Sequence, residues 1–99
     1  MVIMGVDPGT ASTGYGIIEQ TVSGLRRIDH GCIRTDPSSD PGRRLHEIFS
    51  QLGSLMDAHS PDVVAVELLF FNRNVTTAIS VGQARGVVLL ACAIRGVPV

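Results

Sequence analysis

A short β-branched segment follows an amphipathic helix in the middle of the chain, and this order restricts the topology of the fold. Asp40 is a suitable N-cap residue and Pro41 suits the first position of a helix. Apolar residues then recur every three or four positions, as one face of a helix requires: Leu45, Ile48, Phe49, Leu52, Leu55 and Met56. Pro61 ends the helix, and residues 63–66 are predicted to form a buried strand. Because a crossover helix joins parallel strands, we expect this strand to lie parallel to the first strand of the chain.

Three other strands are predicted ahead of that helix. Residues 2–6 form an apolar run, residues 14–20 are rich in β-favouring side chains, and residues 25–34 alternate roughly between polar and apolar types. Short connections favour antiparallel pairing between them. A long apolar helix is predicted over residues 75–95, and residues 97–99 resemble the opening of another strand. The order predicts an α/β fold with a mixed sheet, in which three antiparallel strands precede parallel strands and helices flank the sheet.

The length of 99 residues allows one domain, covering residues 1–99. Two helices would cover such a sheet poorly, so we expect an incomplete domain, truncated after the second helix, with its C-terminal part missing. The longest unbroken apolar run, residues 87–94, is too short to span a membrane, and the N-terminus does not resemble a signal peptide. These patterns predict a cytoplasmic protein with no membrane partner. Cys32 and Cys92 lack metal-binding spacing and are predicted to be buried free thiols.

Two acidic residues each end a predicted buried strand. Asp7 follows the first strand and Glu67 follows the strand at residues 63–66. If these strands are parallel neighbours, both carboxylates emerge at the same end of the sheet, where open α/β sheets bind their ligands. Two adjacent carboxylates repel each other unless a cation binds, and oxygen ligands select hard cations such as Mg²⁺, with Mn²⁺ as a possible substitute. The pair therefore predicts a catalytic metal site suited to phosphodiester cleavage, although a single strand-ending acid often only faces solvent.

A predicted loop after Glu67 contains adjacent aromatic residues and a basic residue. An exposed Phe70 beside Arg73 would suit base stacking and phosphate contact, whereas Phe71 is better explained as part of the core. All eight basic residues are arginine, which suits bidentate phosphate contacts, but the net charge of −1 does not by itself indicate a nucleic-acid-binding protein. The glycine-rich turn after Asp7 would allow close approach to a phosphate, although such turns also occur without a ligand.

The ordered series of motifs resembles the RuvC family of Holliday-junction resolvases along the whole chain. The matching segments are residues 5–9 (GVDPG), 13–16 (TGYG), 31–35 (GCIRT), 64–67 (VAVE) and 82–86 (GQARG), with Phe70 and Asn74. The resemblance implies a ribonuclease-H-like fold and a homodimeric, magnesium-dependent endonuclease. Such an enzyme makes paired nicks in four-way DNA junctions during recombination and repair, beside a branch-migration complex.

The resemblance also implies roles for particular residues. Asp7 and Glu67 match two of the family's four catalytic acids, and the other two belong to a later helix beyond the end of this sequence. Phe70 matches the aromatic residue that inserts into the junction. Arg73 and Asn74 lie in the same loop and are expected to contact DNA. With half of the acidic cluster outside the sequence, we expect this piece alone to be inactive.

Two other classes of function are compatible with this sequence. The segment Asp7-Pro8-Gly9-Thr10 is similar to the phosphate loop of ATP-dependent phosphotransferases of the actin, Hsp70 and sugar-kinase superfamily. Those proteins need a second phosphate loop and an adenosine motif in a much longer chain. A non-catalytic nucleic-acid-binding module is the other alternative. ATP binding would distinguish the first class from a nuclease, and the absence of metal-dependent cleavage would support the second.

Overall fold

The computed structural model describes residues 1–68 and 75–99, with the side chains of the latter part from residue 77 onward. The elements are β1 (Val2–Asp7), β2 (Ser12–Thr21), β3 (Gly24–Arg34), α1 (Pro41–His59), β4 (Val63–Val66) and α2 (Val75–Ile94). The four strands form one sheet in the order β3-β2-β1-β4, and the two helices accompany it. β1 pairs antiparallel with β2 and parallel with β4, and β2 pairs antiparallel with β3. The mixed α/β sheet predicted from the sequence is thereby confirmed.

Helix α1 begins and ends at residues whose local chemistry favours these positions. The carboxylate of Asp40 accepts a hydrogen bond from the backbone N–H of Arg43 at 2.8 Å, and Pro41 occupies the first turn, where no N–H is needed. At the other end, Ser60 adopts a left-handed conformation with φ 47°, and its N–H donates to the carbonyl of Met56. The helix therefore delivers the chain directly into β4, beside β1.

Both helices pack against the same face of the sheet. Alternation along the strands sends every second side chain of β1 and β2 into this core, where they meet the apolar faces of α1 and α2. The hydrophobic side chains of these four elements that are fully or almost fully buried are Met4, Val6, Ile17, Ile48, Leu52, Met56, Ala84, Val88, Ala91 and Cys92. Gly5 and Asp7 alternate with Met4 and Val6 in β1, so they lie on the opposite face, which no helix covers in the described part of the chain.

Helix α2 is unusually apolar in composition. Thr77–Ile94 is long and apolar enough to cross a membrane, judged by length and composition only. A core helix passes the same test, and α2 contributes Ala84 and Val88 to the core beneath the sheet. Its opposite side is exposed, including Ile79 and Leu90.

The structure differs from the sequence-based expectations at three places. β2 begins at Ser12, two residues earlier than predicted, because Ser12 and Thr13 still pair with β3. Residues 97–99 are not assigned as a strand, although the N–H of Val64 donates to the carbonyl of Pro98 at 2.9 Å along the free edge of β4. Cys32 is exposed rather than buried, because it lies on the helix-free face of the edge strand β3, while Cys92 is buried as expected.

Candidate active site

The parallel pairing of β1 and β4 brings Asp7 and Glu67 together. Ile3 lies opposite Val63, and the register continues to Val6 opposite Val66. One residue further, the N–H of Glu67 donates to the carbonyl of Val6 at 3.0 Å, so the two acids leave adjacent strand ends side by side. Both side chains are exposed and both belong to the helix-free face of the sheet. The juxtaposition expected from the sequence is present.

The two carboxyl groups interact with each other. A hydrogen bond between the side chains of Glu67 and Asp7, together with the repulsion between their charges and a smaller effect of burial, raises the pKa of Glu67 above its usual value. This arrangement places two negative charges where a bound cation would relieve their repulsion. Carboxylate oxygens are the ligands that Mg²⁺ prefers, so the donor chemistry fits a divalent cation.

The pair supplies only part of a coordination shell. Within residues 1–68 and 75–99, no group of three or more His, Cys, Asp or Glu side chains is arranged to hold a metal ion. Mg²⁺ commonly keeps several water ligands and uses one or two protein carboxylates with substrate phosphate oxygens. Asp7 and Glu67 could therefore provide the protein carboxylates of a magnesium site, in which water or phosphate oxygens would occupy the other coordination positions.

A shallow depression of about 470 Å³ adjoins the two acids on the helix-free face. Its floor is made of residues with little or no side chain: Gly5, Gly14, Gly16 and Ala65. Gly5 lies opposite Gly16 on one side and Ala65 on the other, so a row of small residues crosses β2, β1 and β4. Because these strands carry no bulky side chain here, a large group can approach the sheet backbone beside the carboxylates.

The turn between β1 and β2 is fixed by side-chain hydrogen bonds. The buried Thr13 hydroxyl donates to the carbonyl of Gly9 at 2.6 Å and accepts from the N–H of the same residue at 3.2 Å. A side chain at Gly9 would collide with the carbonyl oxygen of Ser12, so this close approach requires glycine. The hydroxyl of Thr35 donates to the carbonyl of Thr10 at 2.6 Å. These contacts hold the chain that follows Asp7 in one conformation.

Sequence reasoning did not identify these threonines as part of the site. A hydroxyl four residues after Gly9 is a local signal of a side-chain–backbone turn, so Thr13 could have been recognised. Thr35 bonds to a residue 25 positions earlier, and that contact has no local signature. The predicted DNA contacts Phe70, Arg73 and Asn74 lie outside the described residues, so their roles stay predictions.

Comparisons with known proteins agree with this geometry. The family model described as "Crossover junction endodeoxyribonuclease RuvC" matches residues 3–99. A protein of that name from Pelotomaculum thermopropionicum is 50% identical over all 99 residues and is covered to 60% of its length. Another from Heliobacterium modesticaldum is 52% identical and is covered to 61%. The chain thus spans about three fifths of the length of these relatives.

Solved structures also match this chain to RuvC. The structure of Thermus thermophilus RuvC in complex with Holliday junction substrate superposes with a TM-score of 0.92 and 31% identity, over 99% of this chain and 63% of that one. An Aquifex aeolicus PPX-GPPA enzyme, with a TM-score of 0.56 and 16% identity, shows a shared fold only. The fold is therefore ribonuclease-H-like, as expected, and the family match favours a nuclease over a phosphotransferase. From its motifs, its fold and the match over residues 3–99, the chain belongs to the RuvC family of crossover junction endodeoxyribonucleases.

Proposed function

We propose that the whole protein is a magnesium-dependent endodeoxyribonuclease that resolves four-way DNA junctions by paired nicks during recombination and repair. The observation that carries this proposal is the side-by-side placement of Asp7 and Glu67 at the carboxyl ends of β1 and β4, with a raised pKa of Glu67. Membership of the RuvC family supports the substrate, since a relative of 31% identity has been solved with a Holliday junction substrate. The family resemblance also supports a cytoplasmic location and action beside a branch-migration complex.

Asp7 and Glu67 would hold the metal, with Mn²⁺ as a possible substitute for Mg²⁺. When bound at such carboxylates, a divalent ion supplies a water of lowered pKa and stabilises negative charge on the phosphate oxygens. The protein contributes the fixed position of the two carboxylates on adjacent strands. The floor of small residues in the depression beside these carboxylates leaves space for a DNA backbone. The family resemblance implies two further carboxylates, and the chain spans about three fifths of the length of its relatives.

Paired nicks require two active sites, and we include a homodimer in the proposal. One side of α2, which we call the exposed α2 face, is mostly apolar and includes the exposed polar residue Gln83; its other residues are Ile79, Gly82, Gly86, Leu90 and Ile94. Apart from the backbone of the helix itself and the adjacent residues, no atom of the described residues lies within 4 Å of the place where a methyl group would stand at either glycine, so a second helix could approach the backbone closely. An isologous contact through this face would give the two-fold symmetry of a four-way junction. Gly86→Leu should then shift the complete protein toward monomer in analytical ultracentrifugation, and an unchanged dimer would place the contact elsewhere.

The metal assignment is tested by Asp7→Asn and Glu67→Gln in the complete protein. Each change removes a charged ligand while keeping the size of the side chain, so junction cleavage with Mg²⁺ should be lost. Junction binding in a gel-shift assay should persist, because affinity for DNA depends mostly on phosphate contacts. Glu19→Gln is a matched control, since Glu19 lies opposite Val2 at the far end of the sheet. Cleavage at the wild-type rate by both Asp7→Asn and Glu67→Gln would refute the assignment.

A further inference from the structure

Helix α2 is joined to the turn that follows Asp7 by side-chain hydrogen bonds. The hydroxyl oxygen of Thr10 lies 2.8 Å from the hydroxyl oxygen of Ser80 and 3.0 Å from the carbonyl oxygen of the same residue. A hydroxyl has one proton and two lone pairs, so Thr10 can donate to the carbonyl while it accepts from Ser80. The two residues are 70 positions apart in the sequence. Both hydrogen bonds therefore attach the turn to α2 at the same residue, Ser80.

The other side of the turn is held independently. The carbonyl of Thr10 accepts from the hydroxyl of Thr35, and that hydroxyl in turn accepts from the Nε of Arg44 in α1 at 2.8 Å. The turn is also closed on itself by Thr13, as described above. Replacing the hydroxyl of Thr10 would consequently remove the connection to α2 and leave the connections to β3 and α1 in place.

The residue of α2 that binds the turn, Ser80, lies beside the exposed α2 face. Ser80 directly follows Ile79, the first residue of the exposed α2 face, and precedes Gly82 by two positions. Since a helix is stiff over these few residues, the Thr10–Ser80 contact relates the position of Asp7 to the surface through which we propose that two subunits meet.

We infer that Thr10 and Ser80 are positioning residues that set the spacing between the two active sites of the dimer, so that both strands of a junction are cut within the lifetime of one complex. This inference depends on the proposed function and on the exposed α2 face as the dimer contact. The two residues act through Asp7 and α2 and need not touch the DNA. A displacement of about 1 Å at a catalytic group can reduce a rate by about 100-fold, so a loosened contact is sufficient to separate two otherwise matched nicks in time.

The test uses the complete protein and a supercoiled plasmid that extrudes a cruciform. Two nicks in one binding event give linear plasmid, whereas isolated nicks give nicked circles. Thr10→Val, which has nearly the same shape but no hydroxyl, should lower the ratio of linear to nicked product severalfold. Thr10→Ser keeps the hydroxyl and should restore the wild-type ratio. Ser80→Ala retains the carbonyl acceptor and should give an intermediate ratio, which provides a second measurement if Thr10→Val folds poorly.

Two controls separate positioning from a general loss of structure. Ile48→Val removes one methyl group from the buried face of α1 and none of the hydrogen bonds that hold the turn, so it should lower the melting temperature and leave the product ratio at the wild-type value. The stabilisation of Thr10→Val by added Mg²⁺ should equal that of the wild type, because both carboxylates remain. A wild-type product ratio for Thr10→Val, or an equal fall in the ratio for Ile48→Val, would overturn the inference. If the wild-type protein cut no junctions at all, the proposed function itself would fail instead.

Discussion

Thr13 connects the fold to the site most directly, and its removal has a predictable cost. The side chain has no exposed surface, and its hydroxyl both donates to and accepts from the backbone of Gly9 in the turn behind Asp7. Thr13→Val replaces the hydroxyl by a methyl group of similar size. The change therefore removes two hydrogen bonds without opening a cavity, and it leaves the N–H and the carbonyl of Gly9 without these partners.

The expected loss of stability follows from the N–H and carbonyl groups of Gly9, which lose their partners. Leaving a buried donor or acceptor unsatisfied costs about 1–3 kcal/mol. Gly9 is half-buried, so water can replace part of what is lost, and we expect a fall of about 2 kcal/mol in the free energy of unfolding. For a protein of about 150–250 residues, 1 kcal/mol corresponds to about 2–4 °C, so the melting temperature should fall by about 4–8 °C. Thr13→Ser keeps both bonds and loses one methyl group, which costs about 1 kcal/mol.

Urea unfolding followed by circular dichroism measures these differences in the complete protein. The slope of the free energy with denaturant should be unchanged, so that the shift in midpoint reports stability alone. Thr13→Val should be less stable than Thr13→Ser, although valine is the more apolar residue. If Thr13→Val were as stable as the wild type, or more stable than Thr13→Ser, the hydroxyl would not hold the turn and the reasoning would be wrong.

Three other predictions concern charge, DNA contact and completeness. Arg95 forms two hydrogen bonds with the carboxylate of Asp57 and lowers the pKa of that group. The stabilisation by this pair should be fully present above the ordinary Asp57 value of 3.8 and be lost as the pH falls through the lower folded value. In acid melts the wild type and Asp57→Asn should therefore converge below that pH, and a difference that grows toward low pH would contradict the sign. Phe70→Ala in the complete protein should melt within a few degrees of wild type and cut junctions more slowly, since stacking on a base is worth about 1–3 kcal/mol, whereas Phe70→Tyr should keep much of the activity. A large loss of melting temperature in Phe70→Ala would instead mean that the ring belongs to the core. Residues 1–99 alone should not cleave a junction in the presence of Mg²⁺, and a nicking assay that detects cleavage would show that the two acids suffice.

Local chemistry explains why some elements were predictable from the sequence. Helix α1 begins at Pro41 after Asp40, as the cap and the proline indicated, and β4 covers Val63–Val66 as expected. The meeting of Asp7 and Glu67 also followed from the sequence, because a crossover helix between two buried strands leaves little choice of pairing direction. In each case the deciding residues are neighbours in the chain or obey a general topological rule.

Contacts between distant residues were beyond the same reasoning. No pattern near Thr10 indicates that its hydroxyl meets Ser80, because that contact depends on where α2 packs against the turn. The exposure of Cys32 depends on β3 being the edge strand, and the sequence alone did not establish the strand order. The start of β2 at Ser12 likewise depends on the length of its partner, β3. Tertiary packing, rather than local preference, decides all three.

The register between β1 and β4 determines where the protein can tolerate a change in chain length. One residue added to or removed from β4 would turn the Glu67 side chain toward the helices, while Asp7 stayed on the other face, because successive side chains of a strand alternate. The hairpin between β2 and β3 has no such constraint: Val22 is fully exposed, and Gly24, with φ 123°, ends a turn that contacts neither acid. Insertions should therefore be accepted at residues 22–23, whereas an insertion within residues 63–66 should eliminate the proposed binding of a metal by Asp7 and Glu67.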